Sequence, residues 1–487
     1  MTLSIIVVYM ALVIGIGVVS NRLLSSTGED YFLATRSIGP VVLLMSLFGT
    51  NMTAFALLGS SGEAYHVGIG VFGLMPAISG LVIPTVFFVL APRAWAIGKR
   101  HGYTTQVEFF RDRWGSDLLG LLLFIVLVAL VIPYLLIGVM AGGVTLNQVT
   151  FGQVPEWIGG LVICLVVMSY VTIGGLRGTA WVNTFQTIVF MVLGAVTVTV
   201  VFSRMGGVGT VMARIAEEAP ALLAREGNFN YVRWLTYSLI PLSAGMFPHM
   251  FMHWLSAKRA DSFRLTVQAY PLCIALVWLP PVLLGVAGTL DFPGLIGGQS
   301  NSILVRMISL HAPGVLAGLL GAGVFAAVMS SLDSQVLSLG TMFTEDIVDH
   351  YGYGDSMTDK QKVASGRIFV AVILLFTYGL SLVSERSIFN LATWSFTGFA
   401  SLFPIAIGAL FWRRSTKIGA LACVITVVVL WTYFFTQGWG DRAYTVGGTG
   451  VMAVAVILGA SSIAMIVGSL LSSPPEPERV ERFIAPS

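Results

Sequence analysis

Two stretches decide the fold: LFGTNMTAFALLGSSG (Leu47–Gly62) and IPLSAGMFPHMFMHW (Ile240–Trp254). Each lies in an apolar run long enough to cross a membrane, and each is interrupted by small, polar or helix-breaking residues. The first carries Gly49, Thr50, Asn51 and Thr53; the second carries Pro241, Gly245 and Pro248. Proline removes a backbone donor and clashes with the preceding turn. Backbone freed in this way at membrane depth is tolerated only where it is buried in protein or lines a cavity. Interrupted helices at matching positions in two halves mark a transporter built from inverted repeats, with its site near the midplane. The competing reading is two ordinary kinked helices, and the matched positions favour the broken pair.

The surrounding composition agrees. The chain has 487 residues, of which 56% are hydrophobic and 10% charged, against about 25% charged in a soluble domain. The mean hydropathy is +0.88. This is the composition of a polytopic membrane protein and excludes a large soluble core. Leu3–Val19 has no basic region before it and no small-residue cleavage site after it, so it reads as a first span and not a signal peptide. A span needs about 20 apolar residues. The sequence then predicts about 13 spans, at 2–20, 40–66, 69–92, 117–146, 155–174, 181–203, 234–256, 266–289, 313–345, 366–384, 387–411, 416–437 and 445–472. With the N-terminus outside, roughly 19 of the 26 Lys and Arg fall in inside segments. Shifting the count by one span would reverse that bias, so N-terminus out and C-terminus in are expected. The net charge of +3 says little about partners. Cys164, Cys273 and Cys423 lie in apolar spans without ligand spacing and read as packing thiols. No phosphate loop, nucleophile elbow or zinc pattern stands out. No catalytic residue and no enzyme activity are expected, and an ion gradient is the energy source the sequence permits.

A third stretch, FAAVMSSLDSQVLSLGTMFTEDI (Phe325–Ile347), carries the ion chemistry. At 100° per residue, Ala327, Ser330, Ser331, Ser334 and Ser338 fall within about a 100° arc, with Asp333 at its edge. Sodium favours a cage of hard oxygens, as hard divalent cations do. Carbonyls of an unwound helix supply some of these, and hydroxyls on an adjacent helix supply others. Each serine alone is better explained by bonding back to a carbonyl one turn earlier or by packing against a close helix.

At this point the residues meet a known pattern. EDYFLATRSIGP (Glu29–Pro40), TTQVEFFRDRWG (Thr104–Gly115), YVTIGGLRGTAWVNTFQ (Tyr170–Gln186), the serine stretch and SFTGFASLFPIAIGALFWRR (Ser395–Arg414) resemble, in order and spacing, the sodium:solute symporter family of proline and sodium–sugar cotransporters. The resemblance runs from about residue 29 to 414. It implies an all-α integral membrane fold of the LeuT type, a five-plus-five inverted repeat with one extra N-terminal helix and two C-terminal helices. The expected organisation is an extra helix at 1–28 and a core at 29–411, with repeat one at about 40–204 and repeat two at about 234–411. Two helices at 412–472 and a flexible cytoplasmic tail at 473–487 follow. Carried over, the family's sodium site uses the carbonyls of Gly49, Met52 and Ala327 and the hydroxyls of Ser330 and Ser331. This chain departs from the family by having Asn183 where an Asp is usual, and an acid at Asp333. The expectation is that Asp333, with Ser334 and Asn183, holds a second ion, sodium or proton. The alternative is a structural Asp333 paired with an inside Arg such as Arg177; an acid within a span marks an ion path or has a partner.

The implied solute lies between the broken helices, beside Asn51, Thr53, Phe55, Ala56, Phe247 and His249; Ser243, Met246, Pro248 and His253 are also on offer. His249 and His253 share a helix face at i, i+4, but no third metal ligand accompanies them. Ala56 stands where the sugar branch has a polar residue, so a monocarboxylate or an amino acid is favoured over a sugar. A carboxylate can be met by the positive end of a half-helix. The function expected is inward sodium movement coupled to uptake of a small organic solute by alternating access. A proton-coupled symporter of the same fold, a transporter-like solute sensor and a passive channel are the alternatives. Sodium, the solute and the lipid bilayer are the expected partners, with no nucleic acid; a monomer is possible, and a bacterial inner membrane is the expected location.

Overall fold

The structure, a computed structural model, describes residues 2–21, 36–224, 230–354, 356–384, 387–438, 441 and 444–484. The expected boundary at 28/29, most of the Glu29–Pro40 motif and the last tail residues lie outside the described residues. Within them the chain is helical, with one isolated bridge between Ile38 and Ala257. Among the described residues, nine helices are long and apolar enough to cross a membrane, or ten if the bent pair Pro40–Asn51 and Phe55–Val67 is one span.

The expected thirteen exceed this in three places. The N-terminal helix Thr2–Asn21 is apolar only over Leu3–Val19. The spans expected at 155–174 and 181–203 are joined in one helix, Glu156–Arg204, interrupted at Gly175 with φ 53° and ψ −158°. A positive φ of this kind is open to glycine and strained for other residues. At 49 residues a straight helix would measure about 74 Å, more than twice the hydrocarbon thickness; the Gly175 break divides it into two membrane-length segments. The third place is the second interrupted stretch. It splits into Tyr231–Tyr237, a 3₁₀ segment Ile240–Gly245 and the helix Pro248–Leu255. Pro248 opens that last helix, and Phe247 before it is extended at ψ 122°, as a residue preceding proline must be.

The serine helix, Gly314–Phe343, is the centre of the bundle. Its most apolar window is 83% buried, against 22% for Asp359–Ser381, which faces outward. It packs on Glu156–Arg204, Asp117–Val149, Pro40–Asn51 and Thr2–Asn21. Asp117–Val149 is capped by Ser116, which accepts from the Leu119 N–H.

The tail differs from the expectation of a flexible segment. Pro477–Ile484 is a helix with Val480 and Phe483 buried. Phe483 meets Phe109 edge-on at 5.1 Å and stacks on Tyr103 at 5.9 Å. Arg482 Nη1 donates to Asp112 Oδ2 at 2.9 Å. The reason is spacing: Val480 and Phe483 share one face and Arg479 and Arg482 the next, enough to dock a short helix on Gln106–Trp114. Beneath it Arg113 reaches Ala409 O and Ser415 Oγ at 3.1 Å each. Burial pulls its guanidinium down to about 10, so it stays charged near neutral pH.

Candidate functional site

The first broken helix stops at Asn51 and resumes at Phe55 after a 55° bend. Met52 is off the helix at φ −85° and ψ 82°. Thr53 Oγ1 accepts from the Phe55 N–H at 3.0 Å, starting the second half as a capping side chain does. A break leaves carbonyls of the preceding turn without helical partners. One of these is used at once: Ser330 Oγ lies 2.9 Å from Gly49 O and 3.1 Å from Ala327 O. A hydroxyl has one hydrogen for two acceptors. Three oxygens gathered at one point, on two helices, are hard donors of the kind a monovalent cation can take. Gly49 is there because a Cβ would meet the Thr187 side chain. The glycine lets the broken helix lie against Glu156–Arg204, where Thr187 Oγ1 donates to Met45 O at 2.9 Å.

The neighbouring residues hold this point in place. Ser331 Oγ accepts from Gln335 Nε2 at 2.7 Å. The Tyr134 hydroxyl faces Ser331 and Thr53 and has no partner in hydrogen-bond geometry. The helix Ser262–Asp291 grips the break from both sides. Asn51 Nδ2 donates to Tyr270 Oη at 2.7 Å, and Trp278 Nε1 donates to Met52 Sδ at 2.8 Å.

One turn along the serine helix, about 6 Å away, lies a second polar cluster. The structure brings Asp333, Ser334 and Asn183 together there. Ser334 Oγ donates to Asp333 Oδ1 at 3.1 Å and accepts from Asn183 Nδ2 at 2.9 Å. Tyr170 Oη donates to Asp333 Oδ2 at 3.0 Å. Asn183 Oδ1 and both polar atoms of the Gln186 side chain are buried without partners. A buried polar atom left unpaired costs roughly 1–3 kcal/mol.

The residues expected around the solute divide. Asn51 is turned to Tyr270. Phe55 sits among Trp278, Phe389 and Phe396 with ring centroids 5.8, 5.6 and 5.2 Å away. Phe247 meets the same Phe396 at 5.3 Å, so the two broken helices share an aromatic wall. His249 stacks on Phe247 at 5.2 Å, and neither ring nitrogen has a partner although the side chain is buried. Ala56 is fully buried, and its carbonyl accepts from Ser60 Oγ. Sequence reasoning missed Tyr134, Tyr270, Trp278 and Ser46. Tyr170 and Gln186 were in view only as the two ends of the YVTIGGLRGTAWVNTFQ motif.

Comparison with known proteins agrees with this architecture. The profile of the sodium:solute symporter family matches residues 31–426. An uncharacterized symporter, YhjB of Bacillus subtilis, is 26% identical over 83% of this chain and 83% of its own length. The sodium/proline symporter of Escherichia coli is 26% identical over 93% of this chain and 90% of its own. Among solved structures, a substrate-bound, outward-open Na⁺-coupled sialic acid symporter superposes with a TM-score of 0.77 at 16% identity, covering 98% of both chains. That likeness carries the fold, which is of the LeuT type. The chain belongs to the sodium:solute symporter family, a family of transporters and not of enzymes, with sodium as the cotransported ion.

Proposed function

We propose that this protein takes up a small organic solute, a monocarboxylate or an amino acid before a sugar, by coupling it to inward sodium flow. The observation that carries the reading is the convergence of Ser330 Oγ with Gly49 O and Ala327 O across the helix break. Sodium there, with the Met52 carbonyl and the Ser331 hydroxyl completing its shell, ties the first broken helix to the serine helix. That contact exists only in conformations where the two helices meet, so sodium favours them. A solute that binds the same conformations raises sodium affinity by the factor by which sodium raises its own. A second ion occupies Asp333, Ser334 and Asn183, where a carboxylate, a hydroxyl and an unpaired amide oxygen lie together.

The solute lies between the broken helices, near Thr53, Phe55, Ala56, Phe247 and His249, with Asn51 behind them. The aromatic wall and Ala56 suit a compact solute with an apolar body. The unpartnered His249 nitrogens and Tyr134 hydroxyl suit one polar end. The excess of Lys and Arg in one set of loops supports an outside N-terminus and an inside C-terminus.

The test is uptake of labelled pyruvate, acetate, proline and glucose into proteoliposomes under an imposed sodium or proton gradient. Sodium-driven accumulation of a monocarboxylate or of proline, with glucose excluded, is the expected result. Uptake that follows the proton gradient and ignores sodium would overturn the ion assignment, and glucose uptake the solute class.

A further inference from the structure

His253 joins three helices at one ring. It lies in Pro248–Leu255, fully buried. Its Nε2 is 3.3 Å from Ser334 Oγ on the serine helix, and its Nδ1 is 3.3 Å from Ser46 Oγ on Pro40–Asn51. Ser46 Oγ is also 3.4 Å from Nε2, and the protons decide between the two nitrogens. Asp333 accepts at both carboxylate oxygens, from Tyr170 and from Ser334. Ser334 has thereby spent its one hydrogen. Its oxygen accepts from Asn183 Nδ2 at 2.9 Å, which leaves a single lone pair, facing His253. The imidazole therefore carries its hydrogen on Nε2 and donates it to Ser334, and Nδ1 accepts from Ser46.

This leaves Ser334 saturated: one hydrogen given, two lone pairs filled. A cation at the Asp333 cluster can use the Ser334 oxygen only after one donor has left. The His253 contact, at 3.3 Å, is the longer of the two. We propose that His253 is a clasp holding both broken helices to the serine helix, and that its bond to Ser334 and an ion at Asp333, Ser334 and Asn183 are mutually exclusive. Arrival of the ion releases the clasp and frees the end of the bundle below the serine pair. This inference rests on the second-ion reading above, which supplies the cation that competes for Ser334.

Ser338, one turn further on the same face and fully buried, is the reporter. Ser338→Cys is labelled with an impermeant maleimide from the membrane face that carries Lys258 and Arg259, with sodium or with choline. Otherwise wild-type protein should label about fivefold faster in sodium, the scale of one hydrogen bond. His253→Leu should label at the fast rate in both media and Asp333→Asn at the slow rate in both. His253→Gln, whose amide restores a donor, should recover the sodium response. If His253→Leu does not reach the membrane, Ser46→Ala, which removes the other tether of the ring, should speed labelling in choline. A leucine variant that keeps the wild-type rates, or wild-type protein whose labelling ignores sodium, overturns the clasp. The second-ion reading fails separately, if Asp333→Asn moves as many charges per solute as wild type.

Discussion

The serine helix presents two oxygen clusters one turn apart, and they are built on opposite principles. The upper one, at Ser330, draws on the Gly49 and Ala327 backbone carbonyls. It carries no formal charge, and its geometry exists because a helix was broken. The lower one, at Ser334, is made of side chains and includes the Asp333 carboxylate, with the hydrogen bonds of Asp333 and Ser334 already closed among Tyr170, Asn183 and His253. On the proposed reading the upper cluster is poised for an ion, and the lower one must be opened to take one. A neutral carbonyl cage binds through field and fit, whereas a buried carboxylate demands a partner in every state of the cycle.

The sharpest way to break this comparison is at the upper cluster. Ser330→Ala removes the one side chain that bridges the two carbonyls. Sodium half-saturation is expected to rise about 10- to 100-fold, equivalent to roughly 1.4–2.7 kcal/mol, with sodium-driven uptake falling in parallel. Uptake kinetics over a sodium titration, at matched protein levels, measure it. A shift below twofold would mean that the convergence is a pair of structural hydrogen bonds and nothing more.

Next is Asp333→Asn, which keeps the shape of the lower cluster and removes its charge. The charge moved per solute should fall by one, and sodium half-saturation should rise several-fold. The ratio of current to solute flux, or the reversal potential in proteoliposomes, reads the first directly. An unchanged ratio would return Asp333 to a structural role with Tyr170 and Ser334.

The two clusters also differ in how far they could be read in advance. The lower one was partly visible by residue type, because the acid at Asp333 is a letter in the chain, whereas the acid missing at Asn183 showed only against the family pattern. Their meeting, 151 positions apart for Asn183 and Ser334, needed the fold. The upper cluster was half hidden. Ser330 and Ser331 stood out as part of a hydroxyl face, but Gly49, Met52 and Ala327 contribute carbonyls, which every residue has. They entered through family resemblance and not through side-chain chemistry. Tyr270 and Trp278 gave no signal, since a tyrosine and a tryptophan in an apolar span read as packing until the partner crosses in space. His253 was legible only as one of two histidines on a face. The tail was misread because its proline- and charge-rich composition outweighed two apolar residues, Val480 and Phe483, at the spacing of a docked face.

A smaller effect tests how the upper cluster is held. Tyr270→Phe keeps the ring, which packs edge-on against Phe48 at 5.3 Å and Phe87 at 5.2 Å, and deletes the hydroxyl that Asn51 binds. Losing one such bond costs about 1 kcal/mol. Sodium half-saturation should rise about fivefold while maximal uptake and membrane yield stay near wild type. Trp278→Phe, which removes the donor to the Met52 sulfur, should act in the same direction and less strongly, because thioether sulfur is a weak acceptor. A fall in yield without a change in sodium dependence would make both residues packing alone.

The smallest effect is expected farthest from both clusters. The tail helix meets the bundle through Arg482 and Asp112, whose side chains are 38% and 29% exposed, and through buried Phe483. A partly exposed ion pair contributes at most about 1 kcal/mol, whereas truncating a buried Phe costs about 3 kcal/mol or more in a well-packed core. Arg482→Ala should therefore leave sodium half-saturation within twofold of wild type. Phe483→Ala should undock the helix, which a protease cutting after Arg479 or Arg482 would report in intact vesicles. Phe109 is also in contact with Phe251 at 5.3 Å, on the same short helix as His253, so the docked tail reaches the helix that carries the clasp. If Phe483→Ala shifted the labelling of Ser338→Cys as strongly as His253→Leu does, the tail would be part of the closing machinery and the two clusters would share their control. With the ring contacts of Phe109 and Phe251 left intact in that variant, the expected result is the opposite: a freed tail, unchanged labelling, and a lower cluster that answers to its own ion.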